Sequence, residues 1–115
     1  MARRNVTIRQ GATWTLAFRV RDDGTTRNLT GWQARMQVRE THASATTLLS
    51  LTSSPAAGIT IDAALGKVTL EASAATTAAL PAPLAAVYDV EMVSPTGRVD
   101  RVLEGVARIT PEVTR

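Results

Sequence analysis

The chain has 115 residues and a formal charge of +3, with no cysteine, 20% charged residues and 3% aromatics. That length fits one domain with one core, and the missing thiols exclude disulfides and thiolate metal sites. No apolar run reaches the ~18 residues of a membrane-spanning helix, and none follows Arg3 and Arg4 as a secretory signal requires.

In chain order, residues 1–4 read as a basic N-terminal arm. Residues 5–9 form a strand with Val6 and Ile8 inward, and Gly11 suits the break after it. In residues 13–21, Trp14, Leu16, Phe18 and Val20 alternate with Thr15, Arg19 and Arg21. A period of two marks a strand with one buried face. Asp22-Asp23-Gly24-Thr25 is a hairpin-type turn, because Asp-Gly tolerates a left-handed backbone. Leu29 and Trp32 anchor a short corner against the core edge. A strand over 33–39 follows, then a polar loop over 40–47 and a strand over 48–52. A second loop, 53–58, carries Ser54 and Pro55. Short strands over 59–62 and 68–72 flank a turn at Gly66. Residues 73–80 form one or two helical turns, capped by Ser73 and stopped by Pro81. Residues 86–93 and 98–109 are the last strands, joined by Ser94-Pro95-Thr96-Gly97, and Gly105 marks a bulge in the second. About eight strands at this spacing predict an all-β fold, an antiparallel sandwich with one short helical turn. No repeat or linker divides the chain, so residues 1–115 are expected to form a single domain with a short tail from 110.

The candidate sites each have a plainer reading. His42 is the only histidine, in a loop with no nucleophile-elbow pattern, so catalysis by it has little behind it. Asp22 and Asp23 could offer oxygens to calcium, but turn formation explains them more simply. Asp89 and Glu91 could be drawn as an acid/base pair; charge balance against arginines on a neighbouring strand is the simpler account. Trp14 belongs to an inward series and is core. Trp32 follows a glycine at a corner and is a candidate partner anchor, although core packing is the simpler role. The sequence pI of about 10.6 leaves a polyanion partner open. The arginines are scattered along the chain, however, and several alternate with core residues, as a solvated strand face requires. Arg3 and Arg4 could lie across a neighbour or fray as a terminus. The candidate partner-binding residues are therefore Arg3, Arg4, Trp32, Glu40, His42, Ser54 and Pro55. No residue pattern calls for a cofactor or a metal.

The order of signals resembles a family of small phage domains typified by the N-terminal domain of the siphophage upper baseplate protein. The resemblance lies in Ile8-Arg9-Gln10-Gly11-Ala12-Thr13-Trp14, in Val20-Arg21-Asp22-Asp23-Gly24 leading to Asn28-Leu29-Thr30-Gly31, and in Gln37-Val38-Arg39. It continues through Gly66-Lys67-Val68-Thr69-Leu70, Tyr88-Asp89-Val90-Glu91, Gly97-Arg98-Val99 and Gly105. What this resemblance implies is an immunoglobulin-like sandwich without catalytic residues. Its expected role is virion structural protein: an adaptor in the tail, baseplate or fibre attachment, assembled in the host cytoplasm. The expected partners are other phage structural proteins and further copies of the chain. A head decoration protein and a basic nucleic-acid-binding module are the alternatives.

Overall fold

A computed structural model describes residues 2–22 and 24–114. In it the alternating runs become strands β1 (Ala2–Arg3), β2 (Val6–Arg9), β3 (Trp14–Arg19), β4 (Arg21–Asp22), β5 (Thr25–Thr26) and β6 (Gln33–Arg39). They continue with β7 (Leu49–Ser53), β8 (Ala56–Ala57), β9 (Ile59–Asp62), β10 (Lys67–Ala72), helix α1 (Ala74–Ala78), β11 (Leu84–Val93) and β12 (Val99–Thr110).

Two sheets face each other. The larger has the order β1-β12-β11-β6-β7-β8, with β2 also on β12; the smaller is β3-β10-β9. Strands therefore change sheet between β2 and β3, between β3 and β6, between β7 and β9, and between β10 and β11. This is the Greek-key connectivity of an immunoglobulin-like sandwich, in which one sheet carries the second, fifth and fourth strands and the other the third, sixth and seventh. Inward residues of both sheets make one core. Val38, Val68, Leu70, Val90, Met92 and Ile109 have no solvent exposure. Burial of each such side chain contributes about 1.5–3 kcal/mol. Ser73 caps α1, its hydroxyl accepting from the Thr76 N–H at 3.2 Å. Buried Thr77 donates its hydroxyl to the Ala12 carbonyl at 2.8 Å, which ties the helix to the first turn.

Five expectations change. The strand expected over 13–21 ends at Arg19; Arg21–Asp22 then pairs with Thr25–Thr26 in a small separate hairpin. Gly24 stands in its turn at φ +81°, while Asp23 lies outside the described residues. The 53–58 loop is tighter than expected, because Ser53 pairs with Ala56 and β8 extends the sheet edge. The basic arm is not free: Ala2 and Arg3 lie opposite Leu103 and Glu104 as a strand. That strand, and β2 after it, runs parallel to β12, not antiparallel. Side-chain alternation is the same in both directions, so the pattern carries no sign of it.

The fifth change is at Gly105. It is not bulged but lies directly opposite Tyr88. β1 and β2 hold one register along β12, Ala2 facing Leu103 and Val6 facing Ala107, with a break at Arg4 and Asn5. The Arg4 N–H donates to the Glu104 carbonyl at 2.8 Å. A regular parallel ladder would next send the Val106 N–H to the Arg4 carbonyl. Instead Asn5 Oδ1 accepts it at 3.0 Å, and the freed Arg4 carbonyl accepts the Tyr88 hydroxyl. A Cβ on Gly105 would strike that carbonyl. The glycine is there for close backbone approach. The actual bulge is at Val102, between the pairs Val90–Leu103 and Glu91–Arg101.

This crossing is testable. Gly105→Ala is expected to destabilise the fold by about 1–3 kcal/mol through overpacking against backbone. Tyr88→Phe is expected to cost about 1 kcal/mol through a lost hydrogen bond. Both should lower the urea midpoint at unchanged slope. A Gly105→Ala protein as stable as the parent would contradict the proposed contact.

Candidate functional site

The site begins with the Val102 bulge. One extra residue resets the alternation of β12, so that Asp100 lies opposite Met92. Cross-strand partners share a face, and Met92 is fully buried. Asp100 is thereby turned toward the interior side at the open end of the sandwich. There it accepts from Arg27 Nη1 at 3.3 Å and from Arg98 Nε at 3.0 Å. Arg27 also donates to Asp22 from Nη2 at 2.7 Å and from Nε at 2.9 Å, a bidentate pair. Its Cζ lies 5.0 Å from the centroid of the Trp32 ring, within cation–π range.

Around this hub opens a cleft of about 830 Å³, within the range of ~300–1,000 Å³ common for ligand pockets. Its walls come from β1, the end of β3, β4 and the start of β12. Arg3, Arg4, Arg19, Arg21, Arg27, Arg98 and Arg101 line it, and Asp100 is the one lining carboxylate among the described residues. Apolar lining comes from Phe18, Val20, Val99, Val102 and Leu103. Val99 is 47% exposed. Four of the arginines have carboxylate partners. Arg27 and Arg98 share Asp100, Arg101 reaches Asp89 at 3.4 Å and Glu104 at 3.3 Å, and Arg3 approaches Glu104 at 3.6 Å. Arg4, Arg19 and Arg21 have no carboxylate partner among the described residues. The arginines expected to be scattered over solvated faces are thus brought together: seven line a single cleft.

The electrostatics follow from these contacts. The hydrogen bonds from Arg27 hold the Asp22 carboxyl below the usual aspartate range, and the same contact raises the Arg27 pKa. Asp89 moves the other way: burial raises its pKa, with Glu91 adding to the effect and Arg101 opposing it. Asp89 and Glu91 serve as cross-strand charge partners. Glu91 faces Arg35 in register and accepts from its Nε at 2.8 Å.

The remaining candidates lie apart from the cleft. Trp32 packs partly buried against the core, beneath Arg27, and lines a shallow recess together with Ser54. Pro55 stands exposed at the adjoining turn, where its carbonyl accepts the Thr52 hydroxyl at 2.6 Å. Glu40 is exposed at the end of β6. His42 lines a recess of about 320 Å³ with Asp89 and Arg101 over the outer face of the larger sheet. The nearby Ser44 hydroxyl is engaged with that of Thr41 at 2.9 Å. Of the seven candidate residues, then, only Arg3 and Arg4 reach the cleft. Sequence reading missed Arg19, Arg21, Arg27, Arg98 and Arg101 as a group. The available signal was positional: in a sandwich of this order the end of β3 and the start of β12 meet at one end. Among the described residues no three His, Asp or Glu side chains come together as a metal site requires. No family model and no curated protein sequence matches the chain.

Asp22 gives a clean test of the hub. Its carboxyl should titrate below the ordinary aspartate value of ~3.9 in an NMR pH series, and return toward it in Arg27→Ala. Because folding lowers its proton affinity, the pair stabilises fully above the ordinary value and loses its effect as pH falls through the lowered one. The stability gap between parent and variant should therefore narrow in acid. A gap independent of pH would place the Arg27 contribution elsewhere.

Proposed function

We propose that this chain is a docking module of a phage particle, acting by protein–protein association and not by catalysis. The single observation carrying this reading is the arginine cleft at the open end of an immunoglobulin-like sandwich. It pairs fixed positive charge with apolar floor, the composition of a surface that another protein covers. The resemblance to phage baseplate modules supplies the setting: tail, baseplate or fibre attachment. A head decoration role would use the same surface. Symmetric copies in a particle allow modest affinity per copy to suffice.

Nucleic-acid binding draws on the same arginines and is the second reading. Two features favour protein. The arginines are interleaved with carboxylates, leaving three without acidic partners among the described residues. The floor is aliphatic, apart from Phe18, and offers no platform for base stacking.

Mass spectrometry and cross-linking of purified particles of the encoding virus test the reading directly. The chain should be present, with cross-links leaving from the Lys67 side and N-terminal edge to a second structural protein. A parallel measurement of affinity for duplex DNA against salt should show weak binding throughout. A chain absent from particles, with DNA affinity falling steeply and linearly in log salt, would overturn docking in favour of nucleic acid.

A further inference from the structure

The cleft has a second property beyond its charge: one of its walls is an unfinished strand edge. β12 is flanked on one side by β11 along its length, from Val99 opposite Val93 to Ile109 opposite Leu84. On the other side its described partners begin only at Leu103, opposite Ala2. Among the described residues no strand lies beside 99–101 on that side, where an edge strand turns alternate backbone N–H and C=O groups outward. Across the gap, β3 has β10 as its one neighbour among the described residues, so its far edge is open as well. Open edges of this kind template an added strand.

We infer that the cleft receives an extended, acidic and apolar segment of a partner protein, which adds as a strand along residues 99–101 of β12. This rests on the docking reading above and names the chemistry of its partner. A strand alternates its side chains. In this slot one set faces Phe18, Val20 and Leu103, which asks for aliphatic residues. The other set faces the rim, where Arg4, Arg19 and Arg21 stand without carboxylates among the described residues, which asks for Asp or Glu. Guanidinium groups pair carboxylates with two parallel hydrogen bonds, so the rim selects acidic side chains and fixes their register. A phosphodiester chain would match the rim and leave the apolar floor and strand edge without partners. The occupant is thus read as peptide.

The test uses the whole isotopically labelled chain and a synthetic hexapeptide of alternating glutamate and valine with blocked ends. Amide shifts should be confined to residues 18–21 and 99–103. The double variant Arg19→Ala/Arg21→Ala changes only exposed side chains and should bind at least about tenfold more weakly, as expected for two lost charge-assisted hydrogen bonds. A peptide N-methylated at alternate amides keeps every side chain and loses the edge hydrogen bonds; it should weaken as much. Equal binding of the N-methylated peptide, or shifts elsewhere, would refute strand addition. So would a hexathymidylate probe that perturbs the same amides more strongly than the peptide, or a chain dimer that disappears in the double variant, which would make a second copy the occupant. The two readings can fail separately. Particle cross-links from the cleft to a helical or basic segment would sink the strand proposal and leave docking intact. Peptide binding by a chain that particles lack would do the reverse.

Discussion

One extra residue in the last strand governs the charged end of this sandwich. Without the bulge at Val102, the alternation counted from buried Leu103 would turn Arg101 and Val99 inward and Asp100 out. With it, Asp100 lies on the same face as buried Met92. A carboxylate so placed can meet Arg27 from the core side while Asp22 meets it from the solvent side. Arg27 is then held from two directions and laid against Trp32. That guanidinium joins buried Leu29 and the backbone hydrogen bonds of Arg27 to Val20 and of Leu29 to Ala63 in holding the corner after β5, and with it the wall of the cleft. Bulges re-aim side chains in this way at sheet edges and next to functional sites.

Gathering arginines carries a cost in the free chain. Like charges repel, and Arg4, Arg19 and Arg21 have no carboxylate partner among the described residues to offset them. The fold tolerates this because the rim is exposed, where solvent and salt screen the repulsion over about 8–10 Å. The same screening fades once a partner covers the cleft. Complementary carboxylates would then relieve the repulsion at the moment that burial strengthens it. In the proposed docking role the rim would thus choose partners, suppressing basic surfaces and speeding encounter with acidic ones.

Strand existence was legible in the sequence and strand partnership was not. The period of two found every strand of four residues or more, placed β6 and β9 to the residue, and missed the two-residue β1, β4, β5 and β8; the Ser73 cap was read from its residue type. These are local signals, set by whether neighbouring side chains face core or water. Three other features are not local. Parallel pairing of β2 with β12 leaves the alternation of Val6 and Ile8 unchanged, so nothing in those residues announces direction. Gly105 looks like a bulge when read alone, and becomes a crossing point only when Arg4, 101 positions away, is laid over it. The arginines are spread along the chain and meet only because the Greek-key path returns to the same end. Strand count and spacing predicted the sandwich architecture, but they had nothing to say about the cleft.

The choice of arginine over lysine bears on the proposed role. Lys67 is the single lysine, so twelve of the thirteen basic residues are arginine. Charge for solubility alone is met as well by the strongly hydrated ammonium of lysine. Arginine differs in being weakly hydrated, planar and able to bind a carboxylate through two bonds. Those properties matter where charge is partly withdrawn from water, as Arg27 already is beneath its two carboxylates. The cleft places six more of these groups around an apolar floor. Lining built in this way is suited to being covered, and an open strand edge beside it gives a covering segment backbone groups to pair with. Composition, bulge and edge thus point to the same end of the molecule as the place where a partner would sit.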